Sequence, residues 1–224
     1  MGNWTERFAL TGKTALVTGA TKGIGIETCK VLADAGADIA AVGRDPAGLQ
    51  EIKAAVEAQG RRCVAIAADM ATVEGPARAA EEALGAFGTV DILVNNAAIR
   101  PLSKISEITV EQWDLVHATN LRAPFFLSQA VLPAMVRKKW GRIINIGGLD
   151  AYWGKPRRAH NVSAKLGLTG LTRALANEVA RFGVTVNIVV PGTTDTVRPH
   201  PEWYPGLDKI YDERRERIPM ERLG

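Results

Sequence analysis

Only two cysteines occur in the 224 residues, Cys29 and Cys63, and neither has a cluster of other ligating side chains near it in sequence. That argues against a disulfide framework or a structural metal site and points to two buried thiols. Long apolar runs are missing too: none approaches the ~18 to 20 residues that a membrane span needs. Met1-Gly2-Asn3-Trp4 does not open a secretory signal, so a cytoplasmic chain with no membrane partner is expected. Blocks of like charge are absent, and a formal net charge of +4 is mild. No nucleic-acid arm is expected, and the excess reads as solubility plus local anion sites. No Ser/Pro-rich or highly charged linker divides the chain, which therefore reads as one domain over residues 1–224. Its 46% hydrophobic content is enough for a large core.

What is present is organised around Leu16-Val17-Thr18-Gly19-Ala20-Thr21-Lys22-Gly23-Ile24-Gly25, an apolar strand running into a glycine-rich turn and then a helix. A dinucleotide pyrophosphate needs this arrangement. Gly19 permits the tight turn, Gly23 lets the backbone approach the phosphates, and Gly25 allows close packing of helix and strand. The helix start, with unpaired N–H groups and the positive end of its dipole, faces the anion. Strands are expected at Thr14–Thr18, Asp38–Val42, Cys63–Ala68, Asp91–Asn95, Gly141–Ile146 and Val184–Val190. Helices are expected between them at about 23–34, 46–60, 73–87, 109–119, 121–137 and 160–182, with Asp45-Pro46 as N-cap and first turn of the second. Apolar strands alternating with amphipathic helices predict a doubly wound parallel α/β sheet, a Rossmann fold, with ligands beyond the strands' carboxyl ends. Gly19, Asp69, Asn95, Gly147 and Pro191 all fall at that edge.

Over roughly residues 8–196 the chain resembles the short-chain dehydrogenase/reductase family. The markers are the Thr18-Gly19-x3-Gly23-Ile24-Gly25 turn, Asp69, Asn95-Asn96-Ala97-Ala98, Asn120, Ala164-Lys165 and Pro191-Gly192-x3-Thr196. The resemblance implies a nicotinamide cofactor held by Gly19, Thr21, Lys22, Gly23, Ile24, Gly25, Arg44, Asp69, Met70, Asn96, Lys165, Pro191, Thr194 and Thr196. Asp69 would meet the adenine, Asn95 would hold its strand against the cofactor, and Thr196 would reach the carboxamide. Ala98 stands where the family usually has glycine. An NAD enzyme keeps a carboxylate at the end of the second strand for the ribose 2′-OH; here that place is Gly43, followed by Arg44 and faced by Lys22, which favours NADP. The resemblance also implies a homo-oligomer, dimer or tetramer, and a small-molecule substrate.

The family's usual catalytic set is Asn, Ser, Tyr and Lys. Asn120 and Lys165 match, but the tyrosine position is Asn161 and the serine position is Gly148. An amide has no proton to give near neutral pH, and glycine has no hydroxyl to bind a substrate oxygen. His160, Asp150 and Tyr152 are the substitute acids within reach in sequence, and His160 is the best chemical match. His160-x2-Ser163-Ala164-Lys165 also resembles the dienoyl-CoA reductase branch, whose members reduce conjugated double bonds without the usual tyrosine. The expected activity is therefore hydride transfer between NADPH and a carbonyl or an activated double bond at an atypical site. The alternatives are a dienoyl- or enoyl-thioester reductase and a cofactor-binding protein without catalysis. Lys155, Arg157 and Arg158 form a cationic loop able to meet CoA phosphates or a substrate carboxylate. Residues at about 193–220 are expected to form a substrate lid, with His200, Trp203 and Tyr204 as an aromatic wall and a charged helix over 210–217. The end at Gly224 resembles a family segment that precedes one more helix and strand.

Overall fold

The computed structural model describes residues 8–196, 203 and 206–224. Six strands, β1 (Thr14–Thr18), β2 (Asp38–Gly43), β3 (Cys63–Ala67), β4 (Ile92–Asn95), β5 (Gly141–Ile146) and β6 (Val184–Val189), form one parallel sheet in the order β3-β2-β1-β4-β5-β6. The order reverses between β1 and β4, so the crevice of a doubly wound fold opens above the ends of those strands. Successive side chains alternate between faces. Leu16, Ala40, Val42, Leu93 and Ile143 point one way, to meet α3 (Glu74–Phe87) and α5 (Ala123–Lys138) through Ala79, Ala83, Leu127 and Val131. Ala15, Val17, Ile39 and Ala41 point the other way, onto α1 (Gly23–Asp34) and α2 (Pro46–Glu57) through Cys29, Ala33, Leu49 and Ile52. Burial pushes the Cys29 thiol up to about 12 and the Cys63 thiol to about 11, so both behave as inert apolar side chains.

The sequence expectations hold for every strand to within a residue. β4 runs from Ile92 rather than Asp91, although the Asp91 backbone still bonds to Thr14 and Arg142; its buried carboxylate accepts from the Thr14 amide (3.0 Å) and from Lys138 Nζ (2.5 Å) at the foot of the sheet. Asp45 does cap α2, accepting from the Ala47 amide at 3.2 Å. Three features were not anticipated. A π turn at Ala118–Arg122 joins α4 (Val110–His117) to α5, Pro133 sits inside α5, and a short helix α6 (Asp150–Trp153) follows β5. The long α7 runs Ala159–Val179, and α8 runs Leu207–Arg217. Thr185, Asn187 and Val189 on β6 are exposed. Among the described residues no helix is long and apolar enough to cross a membrane, and no cluster of His, Cys, Asp or Glu could hold a metal.

Candidate active site

One continuous cavity of about 1140 Å³ runs along the carboxyl ends of the strands, its lining including the glycine turn, Arg44, Asp69, Met70, Asn96, Gly148, Asn161, Lys165, Pro191, Thr194 and Thr196. At its first end Gly19 has φ +65° and Gly23 has φ +54°, so the turn uses backbone conformations that side chains resist. A Cβ on Gly25 would overlap the Gly19 carbonyl oxygen, which is how α1 comes to start so close to β1. The start of α1 has no side-chain cap, and its first turn carries no acidic residue. Its amides are therefore left for an anion, and the turn fits a pyrophosphate. Asn96 fixes this turn. Its Nδ2 donates to the Thr18 and Gly19 carbonyls at 2.9 and 3.1 Å, while the Thr18 hydroxyl accepts from the Asn96 and Ala97 amides.

Asn95, expected to hold its strand against the cofactor, is buried and bonds across the sheet. Its β4 position is in register with Asn145 of β5, and its Nδ2 donates to Asn145 Oδ1 at 2.8 Å. Asn145 in turn donates to Thr172 at 2.9 Å. Adjacent residues on a strand point to opposite sides, and here the second asparagine of the pair is the one turned to the glycine turn.

Beyond β2, a Cβ on Gly43 would lie 2.8 Å from Thr21 Cγ2, so the place where a ribose-binding carboxylate would stand is filled by Thr21. Lys22 and Arg44 flank it, in loose ion pairs with Asp45 (3.6 Å) and Asp69 (3.7 Å). Both pairs are about half exposed, where such contacts contribute little and a phosphate can displace them.

At the other end stands Lys165, 3% exposed, its Nζ donating to the Ile146 carbonyl at 2.5 Å. Burial, with Arg100 as a lesser contribution, lowers its ammonium pKa to about 7. Gly148 leaves space above it: a Cβ there would touch only Lys165 Cγ, at 3.8 Å. Asn120 and Asn161 both turn to Ile99. Asn120 accepts from the Ile99 amide and donates to its carbonyl, each at 2.9 Å, and Asn161 Nδ2 donates to the same carbonyl at 3.3 Å. Asn120 is wholly buried and does not line the cavity, so it positions the loop after β4 rather than facing a ligand. The π turn sets it there, one extra residue in the helix redirecting its side chain.

The substitute acids separate clearly. His160 is fully buried outside the cavity, both ring nitrogens lacking a well-formed hydrogen bond, and burial keeps its pKa low. Its place on the helix, one residue from Asn161, turns it away as the ~100° step implies. Tyr152 bonds Thr169 at 3.2 Å and also lies outside the lining. Asp150 does line the cavity, 3.8 Å from Lys155. Of the expected lid, Trp203 and the helix now placed at Leu207–Arg217 border the cavity, while His200 and Tyr204 lie outside the described residues.

Residues 13–203 match the short chain dehydrogenases. The chain belongs to that family. Relatives among these dehydrogenases include the 3-oxoacyl-[acyl-carrier-protein] reductase FabG of Escherichia coli, 40% identical over 185 residues, covering 83% of this chain and 75% of the relative. The D-beta-hydroxybutyrate dehydrogenase of Cupriavidus necator is 38% identical over 218 residues, 95% of this chain and 80% of its own. A structure from Beutenbergia cavernae, described as an NAD(P)-dependent gluconate 5-dehydrogenase with NADP at low occupancy, superposes with a TM-score of 0.88 at 37% identity, over 97% of this chain and 86% of that one. As a short-chain dehydrogenase the chain is an oxidoreductase built on one Rossmann-type domain. Sequence reasoning did not single out Arg100, Arg214 or Arg217, all of which stand in the cavity wall; the available signals were that Arg100 comes two residues after the Asn-Asn-Ala-Ala segment and that Arg214 and Arg217 belong to the charged helix expected over the lid.

Proposed function

We propose that this short-chain oxidoreductase transfers hydride between NADPH and a carbonyl or activated double bond, at a site where Gly148 and Asn161 replace the family's serine and tyrosine. The observation that carries the reading is Lys165: a buried ammonium on the cavity wall, one donor spent on the Ile146 carbonyl and the others available to a developing oxyanion. NADP is the cofactor. Structures related to this chain carry it by their descriptions, including a metagenomic short-chain oxidoreductase 34% identical with a TM-score of 0.78. Lys22 and Arg44, with Thr21 filling the space over Gly43, suit its 2′-phosphate. Bound NADPH supplies the hydride. The glycine turn and the start of α1 would hold the pyrophosphate, Asp69 and Met70 would meet the adenine, and Pro191, Thr194 and Thr196 would meet the nicotinamide.

Lys165 then stabilises the negative oxygen and gives it a proton, the task that a tyrosine performs in ordinary members of the family. Asn120 and Asn161 keep the loop at Ile99 in place through its amide and carbonyl. The named relatives act on an oxoacyl chain and a hydroxy acid, which supports a carbonyl/alcohol pair as the first substrates to try.

The test is NADPH oxidation across ketones, quinones and enoyl or dienoyl thioesters. Lys165→Ala should remove turnover of whichever class is active. Gly148→Ser with Asn161→Tyr should raise reduction of plain ketones by about a hundredfold or more, because general acid catalysis alone supplies about 10²- to 10⁴-fold. Wild-type turnover of plain ketones as fast as that of the double variant would sink the assignment of an atypical site. NADPH binding with no hydride transfer to any class would leave a cofactor-binding protein without catalysis.

A further inference from the structure

The cation count of the cavity is out of proportion to a dinucleotide. Among the described residues eight lysines and arginines line it against three aspartates. Lys22 and Arg44 belong to the adenosine end. Four others gather at the reacting end from three parts of the chain: Arg100 on the loop after β4, Lys155 and Arg158 on the loop between α6 and α7, and Arg214 on α8.

This is not a loosely solvated loop. The two loops are laced together by Arg158 Nη1 donating to the Arg100 carbonyl (2.5 Å) and the Ser103 amide donating to the Arg157 carbonyl (3.0 Å). The segment after β6 and α8 are fastened by Arg214 Nη1 to Thr193 Oγ1 (2.7 Å) and by the Tyr211 hydroxyl to the Thr194 carbonyl (3.3 Å). Arg158 is 3% exposed. The third cation of the loop, Arg157, is exposed at φ +65° and lies outside the lining, so the folded chain sorts the loop's charges into two facing the cavity and one facing water.

We infer that Arg100, Lys155, Arg158 and Arg214 receive an oxyanion of the substrate, carboxylate or phosphate, carried within a few bonds of the carbon that exchanges hydride. This rests on the reading of Lys165 as the reacting end. Like charges held together by backbone ties repel one another. The Lys155 ammonium pKa is lowered mainly by burial; Asp150 acts against this, and Arg214, Arg158 and Arg100 each add a smaller downward push. A doubly coordinated oxyanion would relieve that repulsion and form charge-assisted hydrogen bonds. Nearness to the chemistry follows from the chain path: Arg100 is next to Ile99, whose carbonyl accepts from Asn161, one helical turn before Lys165, and all four line the same cavity. Phosphates at the far end of a long carrier arm would not need cations there.

The experiment compares a short 3-oxo acid, its methyl ester, the matching phosphonate and the CoA thioester, each with NADPH. The acid and the phosphonate should exceed the ester in kcat/KM by about tenfold or more, the scale of one charged hydrogen bond. Lys155→Met should collapse that ratio through KM. Arg214→Gln, on the partly exposed α8, repeats the test if Lys155→Met does not fold. An ester reduced as well as the acid, or a ratio unmoved in both variants, overturns the inference, as does a clear preference for the CoA thioester. Calorimetric binding of the oxo acid to the NADP⁺ complex separates the two readings. Binding that depends on Lys155 without any turnover sinks the redox assignment and keeps the oxyanion site, whereas turnover without acid preference does the reverse.

Discussion

Lys165 is placed where its charge is least comfortable, behind 3% exposure and within the field of Arg100, and its ammonium pKa falls to about 7 as a result. The ordinary lysine value is about 10.4. A lysine near 7 can do what an unperturbed one cannot, which is to give up its proton close to neutral pH. If it protonates the substrate oxygen, kcat/KM must follow the charged form. That form is complete well below pH 7, and above it the rate should fall by about tenfold per pH unit. Lys165→Arg should flatten that alkaline limb even where it slows the reaction, because guanidinium keeps its proton. A wild-type profile that stays level from pH 6 to pH 9 would assign the proton to another donor, with Asp150 the first of the three cavity carboxyls to test.

Elements here are locked by polar groups at their ends as much as by the apolar faces between them. β4 carries its lock at both termini. Below, Asp91 ties it to β1 and α5; above, Asn95 joins Asn145 and Thr172 while Asn96 closes on the glycine turn. Asp91→Ala would leave the Thr14 amide without its acceptor and Lys138 without its partner. The expected loss is about 2 to 3 kcal/mol, the range for a buried donor deprived of a charged acceptor. A denaturant midpoint unchanged in Asp91→Ala would contradict it. The same logic explains why the α4–α5 boundary could not be foreseen. The residues from Thr109 to Arg137 read as ordinary helix formers apart from Pro124 and Pro133, whereas the π turn accompanies the reach of Asn120 to Ile99, a partner distant in sequence.

For the whole molecule, the cofactor is the largest stabiliser on offer, since a ligand that binds only the folded state raises stability by mass action. At a hundred times its dissociation constant NADPH should add about 2.7 kcal/mol, or about 5 to 10 °C in Tm for a domain of this size. NADH at equal concentration should add less, and Arg44→Asp should erase the difference by putting a carboxylate where the 2′-phosphate would lie. Equal shifts from the two cofactors in the wild-type protein would remove the case for NADP. Because the glycine turn, Asn96 and the β1–β4 register form one connected unit, cofactor binding should also protect those strands from hydrogen exchange.

The sequence by itself determined the order of strands and helices, the doubly wound class and the place of the glycine turn. Each of these follows from local pattern: apolar runs, caps and glycines at fixed spacing. It also put Gly43, Arg44 and Lys165 at the carboxyl edge of the sheet, along which the cavity runs. Only the tertiary structure decided which neighbouring side chain faces which way. A strand alternates and a helix turns by about 100° per residue, so Asn95 and Asn96, or His160 and Asn161, look alike in sequence and end on opposite sides of a wall. Tertiary structure alone also gathered Arg100, Lys155, Arg158 and Arg214, because no local rule links cations on three separate segments until the backbone hydrogen bonds between those segments bring them to one cavity.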